Sequence, residues 1–149
     1  MTIIVTDAGF GEDALARQLR TLPLEALQAA DRTDLPGEFA LSIANDADAD
    51  EIAPFFGWIR LIVIAFPSFQ DGRGFSLARR LRQAGYRGKL RATGHVIADQ
   101  YAQARRVGFD EVEIPDDLAA RQPEKQWLAR SAWQSNFYQK RLQAGAGTV

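Results

Sequence analysis

At 149 residues, 46% apolar and 25% charged, the chain has the size and balance of one globular domain able to bury a core. A formal net charge of −1 offers no global electrostatic case for nucleic acid or an anionic membrane. The chain has no cysteine and one histidine, His95. This excludes disulfides, thiol catalysis and Cys-ligated zinc or iron–sulfur sites within it, and leaves a zinc site short of imidazoles.

The N-terminus meets Asp7 without a basic segment, so it reads as a first strand, Ile3–Thr6, and not as a signal peptide. The longest apolar run is far short of the roughly 20 residues that cross a bilayer. The expected location is the cytoplasm. Gly11–Leu22 places Leu15, Ala16, Leu19 and Leu22 at helical spacing, Pro23 interrupts, and Leu24–Ala30 continues the helix. Phe39–Ala44 reads as a second strand. The acidic run Asp46, Asp48, Asp50 and Glu51 suits a solvated helix start better than a metal site, which predicts a short helix over Asp48–Phe56, disturbed by Pro54.

Leu61–Phe66 is apolar on both faces, as a central parallel strand is. A helix over Ser76–Ala84 follows, with Arg79, Arg80 and Arg82 outward and Gly85 as its stop. Lys89–Ala92 is a fourth strand and Val96–Val107 a helix closed by Gly108. Asp110–Ile114 alternates as a more exposed fifth strand. A C-terminal helix over about 120–142 carries Trp127, Trp133, Phe137 and Tyr138, followed by a frayed tail, 143–149. The aromatic spacing suits core or a protein-facing surface, and without a basic groove it makes no nucleic-acid platform. The alternation of about five βα units predicts a single α/β domain over 1–149 with a mostly parallel sheet. An open doubly wound sheet with helices on both faces is favoured over an incomplete (β/α) barrel, since a closed barrel needs typically about 250 residues.

Two successive strand-to-helix turns each carry an arginine and a glycine, at the strand ends where α/β proteins bind ligands. The first is Asp71-Gly72-Arg73-Gly74-Phe75-Ser76. Gly72 and Gly74 permit close backbone approach, Ser76 is a candidate helix cap beside free N–H groups, and Arg73 suits an oxyanion. Asp71 would orient Arg73 or act as a base. The plain alternative is a turn, a cap and a surface charge. The second is Arg91-Ala92-Thr93-Gly94-His95 followed by Asp99-Gln100. An arginine inside a strand needs a polar cavity or an acid partner. His95 and Asp99 stand four apart, either as an acid–base pair or as an exposed helical pair. The first turn is not a Walker A loop and not GxGxxG, and the cofactor, if any, is unknown.

Phe66-Pro67, Asp71-Gly72-Arg73-Gly74-Phe75-Ser76-Leu77-Ala78, Leu81-Arg82, Gly85-Tyr86-Arg87-Gly88, Leu90-Arg91-Ala92, Gly94-His95-Val96, Asp99-Gln100 and Gly108-Phe109-Asp110 resemble the DUF934 family. The resemblance covers about 61–113. That bacterial domain is described as an oxidoreductase tied to sulfite reduction, which implies a place in assimilatory sulfate reduction. The family commonly has an acidic residue where His95 stands, which argues against a shared catalytic role for His95. No catalytic residues carry over. The lack of cysteine and of a dinucleotide fingerprint speaks against a stand-alone oxidoreductase. The leading expectation is an accessory protein that binds a small oxyanion or sulfonucleotide through Arg73, Gly72, Gly74, Ser76, Arg91, Gly94 and Gln100. The alternatives are a non-catalytic module docking on a sulfite or sulfonucleotide reductase through Trp127 or Trp133, and an enzyme using Asp71 or Asp99 as base.

Overall fold

The run read as a central strand lies in the interior of a seven-stranded sheet. A computed structural model describes residues 2–12, 18–29 and 37–133. Its strands are β1 (Thr2–Thr6), β2 (Gly9–Gly11), β3 (Arg20–Pro23), β4 (Phe39–Ile43), β5 (Ile59–Phe66), β6 (Lys89–Gly94) and β7 (Glu111–Pro115). Its helices are α1 (Leu24–Ala29), α2 (Ala49–Ile52), α3 (Arg73–Gln83), α4 (Tyr101–Val107), α5 (Asp116–Arg121) and α6 (Glu124–Leu128). The strand order is β2-β1-β7-β6-β5-β4-β3. Strands β3 to β7 run parallel, while β1 pairs antiparallel with both β7 and β2.

The sheet is the open, mostly parallel α/β sheet that the alternation predicts. Its winding differs from the doubly wound expectation. Strands β3 to β7 lie side by side in chain order, with no reversal and so no switch point. Right-handed crossovers between consecutive neighbours return to the same face each time. Accordingly, Leu41, Ile62, Ile64, Phe66, Leu90, Ala92 and Val112 share one buried cluster with Leu77 and Leu81 of α3 and Ala104 of α4. Ile4, Ala40 and Leu61 alternate to the opposite face and are buried outside that cluster. Much of the rest of that second face is polar: Thr21, Ser42, Arg91, Thr93, Glu111 and Glu113 come from four strands, with Val63 and Ala65 of β5 between them. The sheet is not closed, as the open-sheet reading expects.

Several local readings hold because they rest on local chemistry. Asp48 caps α2 by accepting a hydrogen bond from the Asp50 N–H at 2.9 Å. The acidic run is thus a helix start, and Pro54 falls in a 3₁₀ turn, Ala53–Trp58. Gly85 and Gly108 follow α3 and α4 at φ +105° and +119°, a region that favours glycine.

Other readings fail where distant partners decide. The segment read as a helix over Gly11–Leu22 instead begins in β2 and ends in β3, where Thr21 and Leu22 pair with Ala40 and Leu41; Leu15 and Ala16 lie outside the described residues. The C-terminal helix is broken at Pro123, which has no N–H to donate, into α5 and α6. Phe137, Tyr138 and the tail 143–149 lie outside the described residues. Among the described residues no helix is long and apolar enough to cross a membrane.

Arg82 is not the outward charge that its helical position suggested. Its guanidinium donates to the carbonyl oxygens of Tyr86, Gly88 and Gly108 and pairs with Asp110 at 2.9 Å. It therefore ties the end of α3 to the turns before β6 and β7. Asp7, in the β1–β2 turn, ties the hairpin to α4 in the same way: Tyr101 Oη donates to it at 2.5 Å, and Arg105 and Trp133 also donate. Burial would raise the Asp7 carboxyl, but these hydrogen bonds outweigh it and hold the group below its usual value. A carboxyl lowered in the folded state adds stability above its unfolded value of about 3.9, lost as pH falls through the folded value. In urea titrations, Asp7→Asn is expected to be less stable than wild type at pH 6, and the gap should narrow at pH 3. A gap that widens toward acid would contradict this.

Candidate functional site

The loops at the carboxyl ends of β5, β6 and β7 build a cleft of about 420 Å³, with Phe69 from the first loop, His95 and Ile97 from the second, and Pro115, Asp117, Leu118, Arg121 and Gln122 from the third. Two glutamines hold these loops together. Gln100 Nε2 donates to the Phe69 carbonyl at 2.6 Å, while its Oε1 accepts from the Ile97 N–H at 3.1 Å. Gln122 Oε1 accepts from the Ala98 N–H at 2.7 Å, and its carbonyl accepts from Trp127 Nε1 at 2.8 Å. The wall is fixed, while Phe69, at 50% exposure, presents an apolar ring to solvent. Arg121 pairs with Asp117 only at 3.5 Å, with both side chains about three-quarters exposed (73% and 74%). Such an exposed pair is worth little and exchanges readily.

Only part of the arrangement expected from the two glycine–arginine turns is present. Asp71 accepts from the Arg73 N–H and from its guanidinium, with Nη2 at 2.8 Å, and from Asn45 Nδ2 at 3.0 Å. The Arg73 hydrogen bonds hold the Asp71 carboxyl far below the usual range. That suits a carboxylate that orients the Arg73 guanidinium. Helix α3 begins at Arg73 with Gly72 as its N-cap, so Ser76 does not cap it and stands exposed in the first turn. A Cβ on Gly74 would clash with the edge of the Phe66 ring at its Cζ, and Phe66 itself packs on Phe75 with centroids 5.0 Å apart. Gly74 therefore serves helix–sheet packing. Gly94 lies at φ +108°, and a Cβ there would approach the Phe66 carbonyl oxygen at 2.6 Å. It too serves close chain packing, since the His95 N–H donates to that same oxygen at 3.0 Å.

Arg73 and Arg91 do not converge. Helix α3 packs on the apolar face of the sheet, whereas Arg91 belongs to the polar face. There it is only 3% exposed, and its Nε and Nη2 reach Glu111 Oε1 at 2.8 and 2.7 Å. Glu113 Oε1 accepts from Nη1 at 3.3 Å. This is a directly opposed cross-strand pair, Arg91 against Glu111, beside a cavity of about 300 Å³ lined in part by Thr21, Ser42 and Thr93. His95 and Asp99 do not form the helical pair either. The 3₁₀ turn begins only at Ala98, and Asp99 instead meets Arg130 at 2.6 Å. His95 nevertheless lines the cleft.

Phe69, Asp117 and Arg121 were missed as site residues. The signal was present in the third strand end, Ile114-Pro115-Asp116-Asp117, which follows the same strand-to-helix rule as the other two. Of the two tryptophans expected to dock a partner, Trp127 is buried and Trp133 is partly exposed. Trp127 is 1% exposed, and Trp133 lies under the Arg105 guanidinium, 4.8 Å from the ring centre.

A model of the family described as "Bacterial protein of unknown function (DUF934)" matches residues 40–147. The chain belongs to the DUF934 family. The DUF934 match begins in β4 and takes in every parallel strand except β3, together with the three loops of the cleft. It thus extends well beyond the 61–113 block. No curated protein and no solved structure shows significant similarity to the chain.

Proposed function

We propose that this DUF934 chain is an accessory protein of assimilatory sulfate or sulfite reduction, binding a small oxyanion or sulfonucleotide in the cleft at the carboxyl ends of β6 and β7. The supporting observation is one fixed cleft that holds a half-exposed aromatic ring, Phe69, with an exposed guanidinium, Arg121, and an imidazole, His95. A planar guanidinium suits a sulfate or phosphate, and an exposed ring suits stacking of a base. The volume of about 420 Å³ lies within the common range for small-ligand sites. Arg73 and Arg91, engaged by Asp71 and Glu111, are positioning and structural groups in this reading. With no cysteine, the chain contributes binding rather than thiolate-held electron carriers.

Calorimetric titration with sulfite, sulfate and adenylyl sulfate tests this. Wild type is expected to bind adenylyl sulfate. Arg121→Ala should weaken binding by about tenfold or more, the loss of one charge-assisted hydrogen bond. Phe69→Ala should weaken the nucleotide and spare sulfite. Absence of binding, or binding indifferent to both substitutions, would refute the assignment.

A further inference from the structure

We infer that the opposite, amino-terminal edge of the sheet carries a second anion site, suited to a compact polyanion bearing two or more phosphoryl groups. The cavity there, about 730 Å³, is lined among the described residues by Arg60, Arg82, Arg87 and Lys89 against one carboxylate, Asp110. That carboxylate is already committed, accepting from Arg82 Nη2 and from the Leu90 N–H, both at 2.9 Å. Arg82, held by three carbonyl oxygens as well, is a fixed wall. The positive groups left to act on a ligand are Arg60, Arg87 and Lys89.

Each of these is available at small cost. Arg60 meets Glu38 at 3.2 Å with both side chains about half exposed (49% and 62%), a pair that water and salt weaken easily. Lys89 reaches Glu111 only at 3.5 Å. Arg87 is exposed and forms no ion pair among the described residues. The loop that presents Arg87 is rigid. It starts at Gly85 with φ +105°, and Tyr86 is buried beneath it and donates to the Lys89 carbonyl at 3.0 Å. A Cβ on Gly88 would collide with the Tyr86 ring. Three cations thus converge on one cavity in a chain whose net charge is −1, so the charge is local and not a property of the whole surface. A polyanion that takes the place of Glu38 at Arg60 and of Glu111 at Lys89 meets three positive charges, one more than a single sulfate or phosphate dianion neutralises. Guanidinium groups bind phosphoryl oxygens in paired hydrogen bonds, and an ammonium adds a point charge. The described residues of the lining include no aromatic ring, which favours recognition of the phosphoryl group over a base.

Inorganic pyrophosphate is the probe, titrated calorimetrically at low salt against the full chain, with ADP and a hexaglutamate peptide in parallel. Pyrophosphate and ADP are expected to bind with similar affinity that falls as salt rises. ADP binding much more tightly would reassign the ligand to a nucleotide recognised by its base. Arg60→Glu and Arg87→Glu should each weaken pyrophosphate at least tenfold. Both side chains are exposed, so unchanged circular dichroism is expected. Arg79→Glu, the same charge change on an exposed position of α3 outside this cavity, should have little effect. Adenylyl sulfate binding at the carboxyl edge should survive Arg87→Glu, which separates failure of this site from failure of the other. No pyrophosphate binding, equal loss in Arg79→Glu, indifference to Arg60 and Arg87, or tighter binding of hexaglutamate would overturn the inference.

Discussion

Arg91→Ala is expected to destabilise the protein by about 3–5 kcal/mol, the usual cost of breaking a buried ion pair from one side. Glu111, 4% exposed in the folded chain, would lose its guanidinium partner. Lys89 would be its nearest cation, at 3.5 Å and from a half-exposed position. Against a typical total of about 5–15 kcal/mol, such a loss is a large fraction of the folding free energy. Urea titration followed by tryptophan fluorescence measures it, and Trp127 in the core is a suitable reporter. The double variant Arg91→Leu/Glu111→Leu should recover much of the loss, because apolar side chains of similar size can replace a buried pair at little cost. A loss below about 1 kcal/mol in Arg91→Ala, together with loss of sulfite or nucleotide binding, would return Arg91 to the ligand site.

The glycines of the two turns are expected to separate sharply. Gly94→Ala should cost at least about 1–3 kcal/mol for the backbone strain at φ +108° alone. The approach to the Phe66 carbonyl adds to this, because that oxygen is backbone and already accepts from the His95 N–H. Gly72→Ala should lie within about 0.5 kcal/mol of wild type, since its φ is −85° and a Cβ there meets nothing within 4 Å. Thermal melts of both variants decide the matter. Equal stability with equal loss of ligand binding would mean that both glycines serve ligand approach after all.

The glycine contrast shows why part of the candidate site was legible and part was not. The positions needing glycine could be seen, because Gly and its turn neighbours punctuate the chain. What each glycine makes room for could not. At Gly74 it is the Phe66 ring, and at Gly94 the Phe66 carbonyl, both brought there by the packing of β5 against α3 and β6. Arg91 was legible as a strand arginine that needed an acid. Which acid depended on the β6–β7 register, which sets it opposite Glu111. Arg73 found its partner two residues away, at Asp71, an interaction that spacing alone allowed. Phe69, Asp117 and Arg121 became neighbours only through the loops joined by Gln100 and Gln122.

By itself, the sequence determined the alternation of strands and helices, the apolar interior strand, the acidic helix start before α2 and the glycine stops after α3 and α4. Each depends on side chains within a turn or two of one another. It also determined that the chain has no thiol to contribute. The tertiary structure alone decided that β1 turns antiparallel, that Arg20–Pro23 is a strand and not the end of a helix, and that the parallel strands wind in one direction. It also placed Arg73 and Arg91 on opposite faces of the sheet. The physical reason is common to all of these. Strand pairing and face are set by contacts between segments far apart in the chain, and the same local pattern serves either winding.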